Sequence, residues 1–440
     1  MQSSSSSRPV AIWVFTGVIM LLIQVILGGI TRLTGSGLSI THWDVITGAL
    51  PPLNAAQWQE KFDGYRQTEQ FRILNSGFSL ADFKFIFFWE WFHRFWARMV
   101  GVVFLVGFAG LVWKKKMKKE MVRPLLILFL LGAMQGAIGW IMVASGFTGD
   151  AIYVEPTRLA LHFVFALGLV VYAFWFALQL SVPPEALLAR WGREPDDSGR
   201  VLVSGENLDS SGKTLDSGKG LDSSGRVLVS GENLDSSGKS LDSGKGLDSS
   251  EKSLDLRESP DSAGKSLDLR EGLAALRGWT IAILFILFFQ LSYGALMAGH
   301  KAAAVASTWP RINGDWVPPS LFTKSPLATD LIGNKITVQF IHRGLAYLLL
   351  VMVGIWSVLA VRLGGAPAWF NKLRWLPLLL IGVQIILGIT SLLTSPGITP
   401  GKWVSFDWLA QFHQVTGLLF LLTIIGMLYL VKPIRYPVTV

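Results

Sequence analysis

Eight uninterrupted apolar runs constrain this chain more than any other feature. They lie near residues 10–30, 88–113, 124–145, 157–180, 278–299, 337–361, 374–394 and 408–431. A helix needs about 20 apolar residues to cross a bilayer, and lipid offers no partner to backbone N–H and C=O groups that a helix does not satisfy itself. The fold class expected is therefore all-α: a polytopic membrane protein with eight transmembrane helices, arranged as two pseudo-symmetric four-helix bundles. Of the 440 residues 51% are hydrophobic and only 16% are charged, which excludes an ordinary soluble enzyme and a disordered chain.

One tract is unlike the rest. Residues 195–270 are rich in Ser, Gly, Asp and Lys and hold 10 of the 39 basic and 15 of the 30 acidic residues, so the other 364 carry a net +14. Residues 198–223 recur as 224–249 with one change, Thr214 to Ser240. A 26-residue period can mark a solenoid. Each copy, however, has too few apolar residues to build a core, and the tract reads as a disordered insert. The domain plan expected is an N-terminal four-helix bundle over 1–194, a disordered cytoplasmic linker over 195–272 and a C-terminal four-helix bundle over 273–440.

Lys and Arg placement sets the expected orientation. The short loop from Trp113 to Arg123 carries six positive charges, the loop after the sixth run carries Arg362, Lys372 and Arg374, and the C-terminus carries Lys432 and Arg435. By the positive-inside rule both termini are cytoplasmic. The first run follows Met1-Gln2 and five serines, without the cationic start of a signal peptide, and reads as a retained first span of a bacterial inner-membrane protein. The basic surplus records orientation and does not call for nucleic acid.

The two membrane halves repeat each other. Gln24 and Gln290 are 266 apart, as are Trp43 and Trp309, and Pro51-Pro52 matches Pro318-Pro319 at 267. His93-Arg94 matches His342-Arg343 and Gln135 matches Gln384 at 249, while His162 matches His413 at 251. Each unit has an even number of spans, so the copies insert with the same topology, unlike the inverted repeats of many transporters.

With no cysteine in the chain, a disulfide, a thiolate metal site, an iron–sulfur cluster and haem linked through cysteine are all excluded. There are six histidines, and four of them, His93, His162, His342 and His413, form two duplicated pairs near the outward ends of the second and fourth spans of each half. Ionisable residues in spans are costly and usually functional. Two histidines on separate helices of a bundle can ligate haem iron from both faces, so the residues point to one bis-histidine haem site per half. The bland alternative is interhelical hydrogen bonding. Arg94 and Arg343, next to the first histidine of each pair, are candidate haem-propionate contacts, or arginines reaching to headgroups. His42 and His300 read as interfacial loop residues.

The halves differ at one telling position. Three residues before the first histidine, on the same helical face, the first half has Glu90 and the second Gln339. A carboxyl group beside a haem edge can act as acid or base or stabilise a developing cation. The first half is thus expected to hold the reactive haem and the second a structural or electron-transfer haem. A pairing of Glu90 with Arg94 or Arg98 is the competing expectation.

The string from Gly28 to Ser39 (GGITRLTGSGLS), with Trp43, Ile46-Thr47-Gly48 and Leu50-Pro51-Pro52, resembles the first-span exit of haem A synthases. The run from Glu69 to Arg94, ending FKFIFFWEWFHR, resembles the cysteine-free mitochondrial and alphaproteobacterial branch, and Thr308-Trp309-Pro310 with Asn313-Gly314-Asp315-Trp316 resembles its second-half loop. The resemblance implies a membrane oxidoreductase that converts the methyl group at ring carbon 8 of haem O to a formyl group, making haem A for cytochrome oxidase. It implies His93 and His162 flanking the substrate haem, His342 and His413 ligating a haem b cofactor, and Glu90 as the catalytic carboxylate. Removing a hydride equivalent from a haem methyl leaves a cation conjugated with the macrocycle, which Glu90 would stabilise or supply with positioned water. Haem O and membrane lipid are the expected partners, and haem O synthase, an electron acceptor such as a quinone and a second copy of the chain remain open. The chain departs from the family at Gly299-His300-Lys301-Ala302-Ala303, where a Gly-Leu-acid/base-Ala-Gly pattern is usual, and in the tract 195–270.

Two rivals stand beside this reading. A di-haem membrane cytochrome exchanging electrons with quinone accounts for four histidines but not for a carboxylate in one half only. A duplicated transporter predicts polar or broken helices at the bilayer midplane, whereas the ionisable residues here cluster at one end of the spans.

Overall fold

The structure, a computed structural model, describes residues 8–41, 47–183, 186–187, 190–191, 193–195, 201–203, 269–399 and 403–432. Among them, eight helices are long and apolar enough to span a bilayer. In the first half these are α1 (Arg8–Leu33), α4 (Leu80–Trp113), α5 (Lys119–Ala144) and α6 (Pro156–Ser181). In the second half they are α7 (Leu269–Gly299), α9 (Lys335–Arg362), α11 (Leu376–Thr394) and α12 (Ser405–Leu430). The short helices α2 (Ala55–Arg66) and α3 (Glu69–Leu74) lie between α1 and α4, α8 (Leu327–Gly333) precedes α9, and α10 (Ala368–Leu373) precedes α11.

Every apolar run becomes a helix, and two begin well before it. Helix α4 starts eight residues earlier than its run, at Leu80, where Ser79 accepts from the Asp82 N–H and Asp82 bonds back to the Ser79 N–H, a capping box. Helix α7 starts nine residues early and takes in Arg270, Glu271 and Arg277. An apolar window marks the lipid-facing part, while the hydrogen-bonded ladder continues through charged turns outside it. The expected boundary at 272/273 therefore falls inside α7. Most of the expected linker lies outside the described residues. At its start lie two three-residue strands, Arg193–Pro195, which ends on the linker's first residue, and Val201–Val203, paired antiparallel with Glu194 opposite Leu202.

Both membrane halves belong to one compact unit. Helices α1 and α6 of the first half pack on α12 and α7 of the second. Across this seam Gln411 and Gln414 of α12 donate from Nε2 to the Ile26 and Val25 carbonyls of α1, at 3.2 and 2.9 Å, and Arg32 donates to the Ala298 carbonyl at 2.5 Å. At the other end the Tyr429 hydroxyl donates to Val182 O at 2.6 Å. Gly299 allows a close approach of backbone to backbone: a Cβ there would lie 2.9 Å from Pro156 Cα.

Helices α2 and α3 pack Phe62, Tyr65 and Phe71 against Phe83, Ile86 and Phe87 on the first turns of α4. Burial pushes the Tyr65 hydroxyl up to about 12, partly offset by the bond Asn75 donates to it. Gln70 then ties this cap to two loops, donating to Gly35 O at 3.4 Å and Ile152 O at 3.3 Å. The cap holds the chain leaving α1 against α4, which positions the site.

Candidate functional site

The four paired histidines gather at one end of the spanning bundles. His162, His342 and His413 lie within the first turns of α6, α9 and α12, and His93 lies deeper, about 3.6 turns into α4, because that helix begins earlier. The adjoining helices α1, α5, α7 and α11 reach the same level at their C-terminal ends.

In the second half the His342 and His413 rings stand edge to face, with centroids 6.5 Å apart and planes at 74°. Ring nitrogens stand about 1 Å from the centroid and a metal–imidazole bond is about 2 Å, so the two rings can bracket one ion in a planar cofactor. In the first half His93 stands within electrostatic range of His162. Among the described residues no group of three or more His, Cys, Asp or Glu is placed to hold a bare metal ion. Two-ligand sites suit a cofactor that supplies the remaining ligands itself, as haem does. Buried polar atoms around the rings also lack partners, including Nδ1 of His342 and Oε1 of Gln135, Gln290 and Gln384. The residues present therefore fit such a group.

Glu90 is buried, and all of its hydrogen-bond partners are donors. Its Oε2 accepts from Ser39 N (2.7 Å), Ser39 Oγ (2.6 Å) and Ile40 N (2.9 Å), while Oε1 pairs with the Arg94 guanidinium one turn on. The competing expectation, a pairing of Glu90 with Arg94, is realised. It engages Arg94, the candidate propionate contact, in a bond to protein. Ser39 and Ile40 escaped the sequence reading. Their signal lay in the GSGLS string, matched by family resemblance and given no role.

The second half reverses the polarity. Gln339 donates from Nε2 to Ala306 O at 3.0 Å, and Arg343 donates to Thr308 O at 2.8 Å and Ala306 O at 3.3 Å. Ala306 follows Ser39 by 267 residues, the same offset as the proline pairs, so equivalent helices clamp equivalent loops. In the first half the loop gives N–H and O–H groups to a charge; in the second it gives carbonyls to an amide and a guanidinium.

The halves also differ in closure. Helix α9 packs closely on α11, whereas their counterparts α4 and α5 meet through longer side chains, Phe104 stacking on Phe129 with centroids 6.2 Å apart. On α4 and α5, Phe88, Leu105, Val106, Leu130 and Trp140 are exposed, as lipid-facing residues are. His300 is a loop residue whose ring bonds to Ile332 O at 2.7 Å, and burial lowers its pKa. His42 and Trp43 lie outside the described residues.

Fold and site define a multi-pass helical membrane protein with a duplicated, histidine-bearing bundle and one acidic half. The chain belongs to the COX15-CtaA family of cytochrome oxidase assembly proteins, whose model matches residues 11–200 and 253–425. It is 34% identical over 423 residues to a protein of Rhodopseudomonas palustris strain TIE-1 named haem A synthase, covering 95% of this chain and 88% of that one. It is 32% identical over 392 residues to the haem A synthase of Bradyrhizobium diazoefficiens (89% and 85% covered) and 31% over 385 residues to that of Paracoccus denitrificans (87% and 80%).

Proposed function

We propose that this protein is a haem A synthase, a membrane oxidoreductase that converts the ring-carbon-8 methyl of haem O to a formyl group and so supplies haem A for cytochrome oxidase. The observation that carries this reading is a chemical difference between two duplicated sites: a carboxylate, Glu90, where the other half has the amide of Gln339. His93 and His162 would hold the substrate haem O, and His342 and His413 a resident haem b.

Haem b, when bound, supplies one-electron transfer. The chain's own residues do the rest. Taking a methyl to a formyl group removes electrons and protons from the substrate carbon and adds an oxygen atom, so positive charge develops there. Glu90 is a fixed negative charge held by Ser39, Ile40 and Arg94, and a pre-oriented charge need not reorganise as the reaction proceeds. The same carboxylate can orient an incoming water and take its proton. Arg94 and Arg343 would add propionate contacts to the bonds they already make. The electrons must leave through an acceptor, for which a quinone is proposed, and haem O synthase is the proposed source of substrate. By the positive-inside rule the basic loop from Trp113 to Arg123 supports a bacterial inner-membrane protein with both termini proposed to be cytoplasmic.

The test is haem analysis of the purified full-length protein, expressed with and without a source of haem O. Haem O or haem A beside haem B supports the synthase. Haem B alone, with haem O supplied, identifies a di-haem cytochrome and overturns the reading.

A further inference from the structure

The two halves end their first spans differently. Arg32, in the last turn of α1, has Ala298 as its repeat in α7, at the offset of 266 that relates Gln24 to Gln290. At the same offset Gly35, two residues past α1, corresponds to Lys301, two residues past α7. Both take the left-handed backbone that closes a helix, with φ of 68° and 51°. Each N–H bonds three residues back, Gly35 to Arg32 O at 3.3 Å and Lys301 to Ala298 O at 3.2 Å. Glycine adopts that backbone freely, whereas a residue with a Cβ is strained in it. The strain is kept at Lys301 where the repeat avoids it, which points to a use for the side chain.

Arg32 and Lys301 meet across the seam between the halves. The Ala298 carbonyl that accepts the Lys301 N–H also accepts from the Arg32 guanidinium, at 2.5 Å. The Lys301 ammonium lies 3.5 Å from the centroid of the Tyr153 ring, in the loop between α5 and α6 of the first half. Partial burial, then the charge of Arg32, lower its pKa to about 8. Among the described residues neither cation is in an ion pair. Asp407 acts on Arg32 from beyond that range, and its carboxylate caps its own helix, accepting from Val404 N at 2.8 Å. Two converging cations without a paired anion favour the binding of one. The pair stands beside the first-half histidines. Arg32 follows Gly28 by one turn on the same face of α1, and a Cβ on Gly28 would lie 3.3 Å from the His93 ring. The Arg32 Cα is thus about 6 Å outward of Gly28 along the helix, at the level where the carboxylate edge of a macrocycle held by His93 would lie.

We propose that Arg32 and Lys301, one from each half, bind a propionate carboxylate of the haem held by His93 and His162. This rests on the bis-histidine reading above. Arg94, the cation next to His93, is already paired with Glu90, so the first-half haem needs further positive charge for its carboxylates. Its repeat Arg343 bonds carbonyls and keeps its charge for the second-half haem. Arginine offers a carboxylate a two-pronged fork and lysine a point charge. The pseudo-symmetric place beside the second-half histidines has Ala298 and Gly35 instead. The substrate site is therefore completed by the half that carries the cofactor, which gives the two bundles a reason to work as one unit.

The test titrates haem O, and haem O with its propionates methyl-esterified, into the purified full-length protein carrying haem b, with binding followed by absorbance. Arg32→Gln and Lys301→Gly should each weaken haem O about 10-fold, the scale of one lost hydrogen bond to a charged group, and leave the haem b ratio unchanged. The ester should bind the unsubstituted protein more weakly than the free acid, and neither substitution should weaken it further. Lys301→Gly relieves the strained backbone and keeps the N–H bond to Ala298, so it carries the test wherever Arg32→Gln fails to accumulate. Equal losses for acid and ester, or none for either, with haem O binding abolished in His93→Ala, overturn the carboxylate site and leave the bis-histidine reading intact. Loss of haem b in place of haem O overturns the assignment to the substrate. Haem O binding untouched by His93→Ala overturns the site and the bis-histidine reading together.

Discussion

The backbone N–H and the hydroxyl of Ser39 both donate to the same carboxylate oxygen of Glu90, at 2.7 and 2.6 Å. This joins the loop leaving α1 to the face of α4 that carries His93. The charge of Glu90 is therefore both a chemical group and the anchor of a loop, and the two roles separate by substitution. Glu90→Gln keeps one acceptor oxygen and the side-chain volume but loses the charge. Haem b should remain at the unsubstituted ratio while haem A production falls by about 100-fold or more, the scale set by removing a pre-oriented charge-stabilising group. Extracted haems separated by chromatography give the readout, and haem A at the unsubstituted level would remove Glu90 from the chemistry.

Ser39→Ala tests the anchor alone. The backbone N–H bonds from Ser39 and Ile40 persist, and one hydrogen bond to a charged group is lost, worth about 1.5–3 kcal/mol. The detergent-solubilised protein should melt at a lower temperature, and turnover should fall less than in Glu90→Gln because the charge remains. A turnover loss as deep as that of Glu90→Gln would mean that loop position, rather than charge, limits the reaction.

The histidine pairs should be separable. His342→Ala and His413→Ala are expected to lose haem b, while His93→Ala and His162→Ala keep it and lose haem O. Pyridine haemochrome spectra of the four variants, each expressed with a haem O source, decide this. Equal loss of both haems from every variant would show one shared site instead of two.

The spans were legible because lipid demands long apolar runs, and the paired histidines because a duplication repeats them at a nearly constant offset. Glu90 stood out against Gln339 for the same reason. Its partners did not: Ser39 is 51 residues away in a loop without periodicity, and only the folded cap of α2 and α3 brings it to α4. Arg94 was legible both as a cation beside a ligand and, four residues from Glu90 on one helix face, as its ion-pair partner.

The seam between the halves should be sensitive to a single methyl group. At Gly299 a Cβ would stand 2.9 Å from both Cα and Cβ of Pro156, and backbone cannot swing aside as a flexible side chain can. Gly299→Ala forces α6 and α7 apart where Ala160, Ala295, Leu296 and Val338 pack. Overpacking of this kind costs about 1–3 kcal/mol. The melting midpoint of the purified protein should fall accordingly, and an unchanged midpoint would show that the seam has slack.

Acid should loosen the second half through Asp330. This buried side chain accepts from Phe322 N (3.1 Å), Lys324 N (2.9 Å), Asn334 Nδ2 (3.0 Å) and Thr337 Oγ1 (2.6 Å). Burial alone would raise its pKa, but the four donated bonds outweigh that and hold it down to about 2. Asn334 in turn caps α9, accepting from Ile336 N at 3.0 Å, so the carboxylate fixes the start of the helix that carries Gln339 and His342. The unfolded carboxyl titrates near its ordinary value of about 3.9. The folded pKa is depressed, so the unfolded state binds the proton first, and the stabilisation is fully present above about pH 4 and is lost as the pH falls towards 2. Asp330→Asn cannot titrate. Melting midpoints followed from neutral pH down to about pH 2.5 should therefore fall more steeply below pH 4 for the unsubstituted protein than for Asp330→Asn, with the curves parallel above it. Parallel curves over the whole range would show that Asp330 does not link acid to the stability of α9.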